Sequence, residues 1–405
     1  MKFAPIIESL LDTDLYKFSM GQAIYHQFSD VETGWSLKCR NEDVIFTPEM
    51  VEEIKEQLKH YCTLRFKEDE LEYLLDKQQW LKRDYTNFLR LWQPRYEDFE
   101  IFLDEDGKLH VETNGTWLNV SMYEIPTLAI VNEVYFRMAY DYDALFASGK
   151  ERLAKKVERV EQQSIYLGTY SEFGTRRRLS KEMQELAITE LAGINKRKPG
   201  VTSKMIGTSN VYFAKKHGLK AVGTMAHEWI MVVGQGNFKH NPAYSNWYAL
   251  EAWVKEYGVL NGIALTDTIT TDCFLKDFNL TYATLFNGVR HDSGDPKEWG
   301  DKIIAHYEKL GIDPKTKTLL FSDSLDFDKA DGLFRYFNGR AKVAFGIGTY
   351  ISNDTDVEPL NIVMKVTTCN GHDVAKISDA PGKGMCKNKE YVDYLQSAID
   401  WRMTH

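Results

Sequence analysis

The stretch VGTMAHEWI, residues 222 to 230, sets a histidine at the end of a short apolar run, with Thr224 three residues before it and Glu228 directly after. An imidazole with an ordinary pKa near 6.5 is largely neutral at pH 7, so a ring nitrogen of His227 could accept a phosphoryl group as readily as a proton. The residue does not open a zinc motif, because H-E-x-x-H needs a second histidine where this chain has Met231. Its bland alternative is a core or capping histidine whose two nitrogens are merely satisfied. GVRHDSGD (288–295) gathers an arginine, a histidine and two carboxylates. Arg290 can grip a carboxylate or phosphate through its planar fork, and Asp292 and Asp295 can hold Mg²⁺ or the hydroxyls of a sugar. The same letters also make an ordinary solvated turn. EFGTRRR (172–178) adds three successive arginines, a candidate anion site in which Arg178 reads equally as a solvated residue of the helix that follows. AFGIGT (344–349) ends a strand with Gly346, Gly348 and Thr349, whose N–H groups and hydroxyl could cradle a phosphate or form a simple turn. No G-x-x-x-x-G-K-[ST] loop and no G-x-G-x-x-G after a first strand is present, so any use of ATP relies on a different phosphate site.

These motifs need elements to carry them. Short apolar or β-branched runs, each ending in a polar loop before a helical segment, recur at 170–178, 204–210, 220–228, 262–268, 284–295, 318–326 and 342–349. Strand, loop and helix repeated in this way predict a parallel sheet, closed as a barrel or open. Every chemical motif falls just after a strand, where such barrels collect their active sites. Residues 1–150 read as an α+β unit, with a helix from Leu15, further helices around 49–61, 68–81 and 126–148, and a hairpin or short meander within 99–120. Asn370-Gly371 between two strand-like runs signals a hairpin. The expected organisation is an N-terminal α+β domain, 1–150, completed by 361–405, and a barrel domain, 151–360, carrying the active site.

Composition bounds the function. The 405 residues, 43% hydrophobic and 13% aromatic, supply a large core and exclude a disordered chain. A net charge of −9 argues against a general nucleic-acid binder, so an anionic substrate must be met by local positive charge. Five cysteines at wide spacings, with no C-x-x-C pair, indicate neither a disulfide framework nor a structural zinc site. The N-terminus lacks a signal-peptide pattern and no run reaches about 18 apolar residues, so a soluble, cytoplasmic protein without a membrane partner is expected. The run IMVVGQG after Trp229 is more apolar than the polar helix start expected there.

Taken together, DTDLYKFSM, EFGTRRR, GTSNVYFAKKHGLKAVGTMAHEW, ALTDTITTDCFLKDF, GVRHDSGDPKEWGDK, FSDSLD, FGIGTYISND and KISDAPGK resemble, in order and spacing, the nicotinate phosphoribosyltransferases of compact bacterial type. The resemblance implies an irregular α/β barrel of the type II phosphoribosyltransferases with an N-terminal α+β domain, assembled as a homodimer. It implies transfer of a phosphoribosyl group from 5-phosphoribosyl 1-pyrophosphate to nicotinate, with Mg²⁺ carried on the pyrophosphate and ATP hydrolysed through a phosphohistidine. His227 matches that histidine. Tyr16 and Thr224 match positions lining the nicotinate site, Arg290 the arginine on the nicotinate carboxylate, and Thr349 a residue on the 5′-phosphate, with Gly346 and Gly348 giving close backbone. Arg176 is assigned to phosphate, and Asp292 and Asp295 to ribose or Mg²⁺-pyrophosphate. The rivals are an enzyme of the same fold using nicotinamide or quinolinate, and a non-catalytic ligand sensor on that fold.

Overall fold

The computed structural model describes residues 2–237, 239–380 and 384–405; the last three residues of KISDAPGK lie outside the described residues. The strands are β1 (Glu32–Cys39), β2 (Phe99–Leu103), β3 (Leu109–Thr116), β4 (Thr169–Glu172), β5 (Lys204–Thr208), β6 (Lys220–Ala221), β7 (Ile263–Leu265), β8 (Gly288–His291), β9 (Thr318–Phe321), β10 (Lys342–Ile347), β11 (Ile362–Cys369) and β12 (His372–Asp373). They form two sheets. One is antiparallel in the order β12-β11-β1-β3-β2; the other is parallel and curled, in the order β6-β5-β4-β10-β9-β8-β7. Each of the seven runs read from the sequence supplies one parallel strand. The chain is thus an irregular α/β barrel joined to an α+β unit, and the barrel is open. Its edge strands β6 and β7 share no ladder among the described residues, but just beyond β6 the Thr224 hydroxyl donates to the Ile263 carbonyl of β7, 2.7 Å away.

Local chemistry explains where the elements start and stop. The helix Tyr16–Gln27 follows Leu15 at its cap position. The stretch expected as one helix over 126–148 is two, Glu124–Ala139 and Tyr142–Glu161. Tyr140 is extended, and the Asp141 carboxylate caps the second helix by accepting from Ala144 N at 3.2 Å. Likewise the helix expected over 68–81 ends at Lys77, and Arg83–Leu91 is a separate helix. The 99–120 region pairs β2 with β3 as a hairpin, but its last residues, Trp117–Val120, are helical. Asn370 and Gly371 have φ of 48° and 78°, the doubly left-handed turn that suits strand twist, and Cys369 pairs with His372 across it. β11 then lies between β12 and β1, whereas the final helix, Lys389–Thr404, packs on the barrel side, burying Leu395 and Ile399 with Ala243, Ile269 and Cys273.

Two interior features position the site. All nine residues of the helix His227–Gln235 are buried. Its Trp229 ring lies 5.7 Å from Trp117 of the α+β unit and 5.3 Å from Trp253 of the barrel, which is why IMVVGQG is apolar on every side. Arg178, readable as solvated, is instead fully buried: its guanidinium forms a two-pronged pair with Asp12 at 2.7 and 2.9 Å. Asp12 precedes the first helix, so this pair ties the N-terminal segment to the barrel. Among the described residues no helix is long and apolar enough to cross a membrane, and all five cysteines are free thiols.

Candidate active site

A cleft of about 1410 Å³ runs along the inner face of the parallel sheet to the carboxyl ends of its strands, and seven of the ten residues singled out in the sequence line it: Tyr16, Arg176, Thr224, Arg290, Asp292, Gly348 and Thr349. Tyr16 begins the first helix and reaches the cleft because Gly223 lets the chains approach: Gly223 has φ of 147°, and a Cβ there would stand 3.1 Å from Tyr16 N. Arg290 projects from β8, with Nη2 3.4 Å from the Met225 carbonyl. Thr349 opens the short helical turn Thr349–Ser352 after β10.

His227 stands behind this lining. It is the first residue of its helix and 4% exposed. Its Nε2 lies 3.0 Å from Asp267 Oδ1 and 3.5 Å from Asp292 Oδ2, and Asp292 connects it to the cleft. The second oxygen of Asp267 accepts from Ser293 Oγ at 2.5 Å and pairs with Lys376 Nζ at 3.1 Å. Burial, joined by the Lys376 charge, pushes the imidazole down to about 4 against the pull of Asp267. Burial alone would raise Asp292, but the Arg290 charge leads the opposing set and holds it at about 2. At neutral pH the site therefore holds two carboxylates, two cations and a neutral imidazole. Nε2, facing two carboxylates, keeps the proton, which leaves the lone pair on Nδ1.

The opposite wall is different. Arg176 and Arg177 occupy the turn after β4, and Arg40 lies near them. Their guanidinium groups make no hydrogen bond or ion pair among the described residues. Burial, then the charges of Arg176 and Arg40, push Arg177 down to about 10. Arg176 has the carboxylates of Glu124, Asp292 and Asp14 near it, but Arg177 and Arg40, half-buried and repelled by their neighbours, are a vacancy for a polyanion.

Two sequence candidates sit elsewhere. The Asp295 carboxylate caps the helix Pro296–Lys309, accepting from Lys297 N and Glu298 N at 2.8 and 2.9 Å, and does not line the cleft. Gly346 lies within β10, and a Cβ there would fall 2.2 Å from Phe173 Cδ2, so this glycine makes room for the Phe173 ring, which does line the cleft. The residues that sequence reasoning passed over are Asp267, Lys376 and Arg40, while Arg177 was read only as one of the three arginines of EFGTRRR. Asp267 had a signal, since it follows β7 as the other chemical residues follow their strands. The ligand atoms of His227, Asp267 and Asp292 lie within 4.8 Å of one another. Even so, they do not fit a resident Mg²⁺, because Lys376 already compensates Asp267 and the set offers few oxygens.

A cleft with a cationic, unpaired wall on one side and a charge-balanced imidazole on the other suits group transfer on polyanions, and its position at the mouth of an open parallel barrel defines a barrel transferase of anionic substrates. Comparison with known proteins narrows that class. The model of the nicotinate phosphoribosyltransferase (NAPRTase) family matches residues 169–402, and that of the family's N-terminal domain residues 11–132. The nicotinate phosphoribosyltransferase of Ralstonia pickettii is 43% identical over 97% of this chain and 99% of its own, and that of Acinetobacter baylyi 45% identical over 98% of each. Among solved structures, a nicotinate phosphoribosyltransferase from Vibrio cholerae superposes with a TM-score of 0.88 at 38% identity, covering 98% of this chain and 95% of that one. A putative nicotinate phosphoribosyltransferase from Saccharomyces cerevisiae gives 0.91 at 34% identity, covering 99% and 100%. The chain belongs to the nicotinate phosphoribosyltransferase family.

Proposed function

We infer that the protein joins nicotinate to 5-phosphoribosyl 1-pyrophosphate, giving nicotinate mononucleotide and pyrophosphate in NAD salvage, and that ATP is hydrolysed through a phosphorylated His227. The observation that carries this reading is the sharing of one cleft by Arg290 and Tyr16, which suit an aromatic carboxylate, and by Arg176 and Thr349, which suit phosphates. The nicotinate ring nitrogen attacks the anomeric carbon; a C–N bond forms as the C–O bond to pyrophosphate breaks. Charge develops on the leaving oxygen and on the ribosyl carbon. Positioned arginines meet the first, and a carboxylate such as Asp292 meets the second. In the coupled step the γ-phosphoryl group of ATP passes to Nδ1 of His227 as its bond to ADP breaks, and water later cleaves the P–N bond to release phosphate. Phosphorylation adds nearly two negative charges beside Asp292 and is a route by which ATP energy can reorganise the site. Mg²⁺ enters with the polyphosphate substrates. Asp295 and Gly346 support the site from its frame, through the helix cap and the Phe173 ring. The reading carries with it a cytoplasmic homodimer, divided into an α+β domain over 1–150 that β11 and β12 complete and a barrel over 151–360 on which the final helix packs.

The test is chromatographic: nicotinate mononucleotide formation with and without ATP, with nicotinamide as the competing base. Product from nicotinate, accelerated by ATP, is expected. Equal use of nicotinamide, which has no carboxylate for Arg290, would overturn the substrate assignment, and ATP coupling that persists in His227→Asn would overturn the role of the histidine.

A further inference from the structure

The segment after β12 crosses from the antiparallel sheet to the barrel mouth, and its backbone is pinned on both sides of Lys376. Ala375 exchanges two bonds with the side-chain amide of Gln235, its N–H donating to Oε1 at 2.7 Å and its carbonyl accepting from Nε2 at 2.9 Å. Gln235 ends the helix that His227 begins. On the other side, Ile377 N donates to the Thr268 carbonyl at 2.9 Å, one residue beyond Asp267. Ser378 Oγ lies 2.9 Å from Ser293 Oγ, and Asp379 accepts from Thr271 N and Oγ1 at 2.8 and 2.6 Å. A lysine fixed this way delivers its ammonium to one place. That place is 3.1 Å from Asp267 Oδ2 and 4.0 Å from Asp292 Oδ2, and the residue is 7% exposed.

We propose that Lys376 is the positioning residue of His227: its ammonium occupies one oxygen of Asp267 so that the other orients the imidazole, and its charge keeps that imidazole neutral. The groups around His227 make the sign plain. Asp267 and Asp292 face it from the ends of β7 and β8. Arg290 and Lys376 balance them, with Arg176 acting on Asp292 from the turn after β4. His291 and Asp379 also stand within reach of the Asp267 charge, and Glu228, on the same helix as His227, is engaged by Lys17 at 2.6 Å. With Lys376 present, a third positive charge at the imidazole is opposed. Without it, two carboxylates face one cation and draw a proton onto Nδ1, which removes the lone pair a phosphoryl group needs. Burial and the Lys376 charge, which together hold His227 at about 4, agree with this geometry.

The functional meaning rests on His227 as phosphoryl acceptor, but the titration of His227 does not. Imidazole signals of isotopically labelled histidine, assigned with His227→Asn, are followed against pH in the full chain, its Lys376→Met and Lys376→Arg variants, and Lys376→Gln should the methionine variant not fold. Acid-labile label from γ-labelled ATP is measured on the same proteins across pH. In the parent and the arginine variant His227 stays neutral down to about pH 5, whereas in the uncharged variants it protonates at a pH higher by about 1 or more. Label in those variants falls to about half the parent's at the pH where their His227 is half protonated, and recovers as pH rises. An unshifted His227 in a folded uncharged variant, a charged His227 in the parent at about pH 6.5, or a loss of label equal at every pH would each overturn the proposal. A parent that takes no label at all overturns the phosphohistidine reading instead, and the titration still decides the role of Lys376.

Discussion

Arg177 and Arg178 are neighbours in the chain with opposite electrostatic fates. Arg178 is buried against both oxygens of Asp12, and Asp12 is further held by Asn210 Nδ2 at 2.7 Å. Arg177 faces the cleft beside two more arginines, with no partner among the described residues. The same contrast divides the site: around His227 each charge has a counter-charge within the protein, while Arg177 and Arg40 stand among like charges, and their counter-charge is left to the ligand. The balanced side is built to hold a geometry, and the unbalanced side to draw a polyanion in, at some expense of stability.

The contrast can be broken from either side. Arg178→Met leaves Asp12 buried without its partner, and a loss of about 3–5 kcal/mol in urea unfolding is expected; a loss no larger than that of a surface arginine would remove the distinction. Arg290→Gln is expected to raise the KM for nicotinate about 10- to 100-fold, the worth of a charge-assisted hydrogen bond, with far less effect on the KM for the phosphoribosyl donor. Steady-state kinetics with each substrate varied in turn separates the two.

Acid sharpens the comparison on the balanced side. The folded protein holds His227 at about 4, below its ordinary 6.5, so between those values the unfolded chain binds a proton that the folded chain does not. Stability should therefore fall as pH drops through that window, by on the order of 3 kcal/mol from this group, and be independent of it above. A flatter acid limb in His227→Asn, measured by thermal unfolding against pH, is the check. The smallest effect belongs to the unbalanced wall: Arg177→Gln should stabilise the ligand-free protein by about 0.5–1 kcal/mol while weakening binding of the phosphoribosyl donor. A destabilised variant would mean that Arg177 has an internal partner after all.

The seven parallel strands were legible because each is a short apolar or β-branched run that stops at a polar loop, even where one face lines the cleft, as at Ile206 of β5 and Leu320 of β9. The cap at Asp295 was also written in the sequence, since an aspartate directly before Pro296 is a helix-start signal, and it separates Asp295 from the otherwise similar Asp292. Gly346 was misleading because a glycine that admits backbone to a phosphate and one that admits a phenylalanine ring look alike in one dimension. Arg178 could be read either way, since its partner Asp12 belongs to a distant segment. Lys376 gave no local sign, for its meaning depends on an aspartate from another strand end and a glutamine from another helix.

The seam between β6 and β7 gives the barrel one soft joint. Elsewhere around the sheet, widening the mouth would strip ladder bonds in series, but this seam is stitched by side chains, the Thr224 hydroxyl on the Ile263 carbonyl and the His227 ring on Asp267. Because Thr224 and Ile263 both line the cleft, the one join in the barrel that no strand ladder holds is also part of the cleft wall.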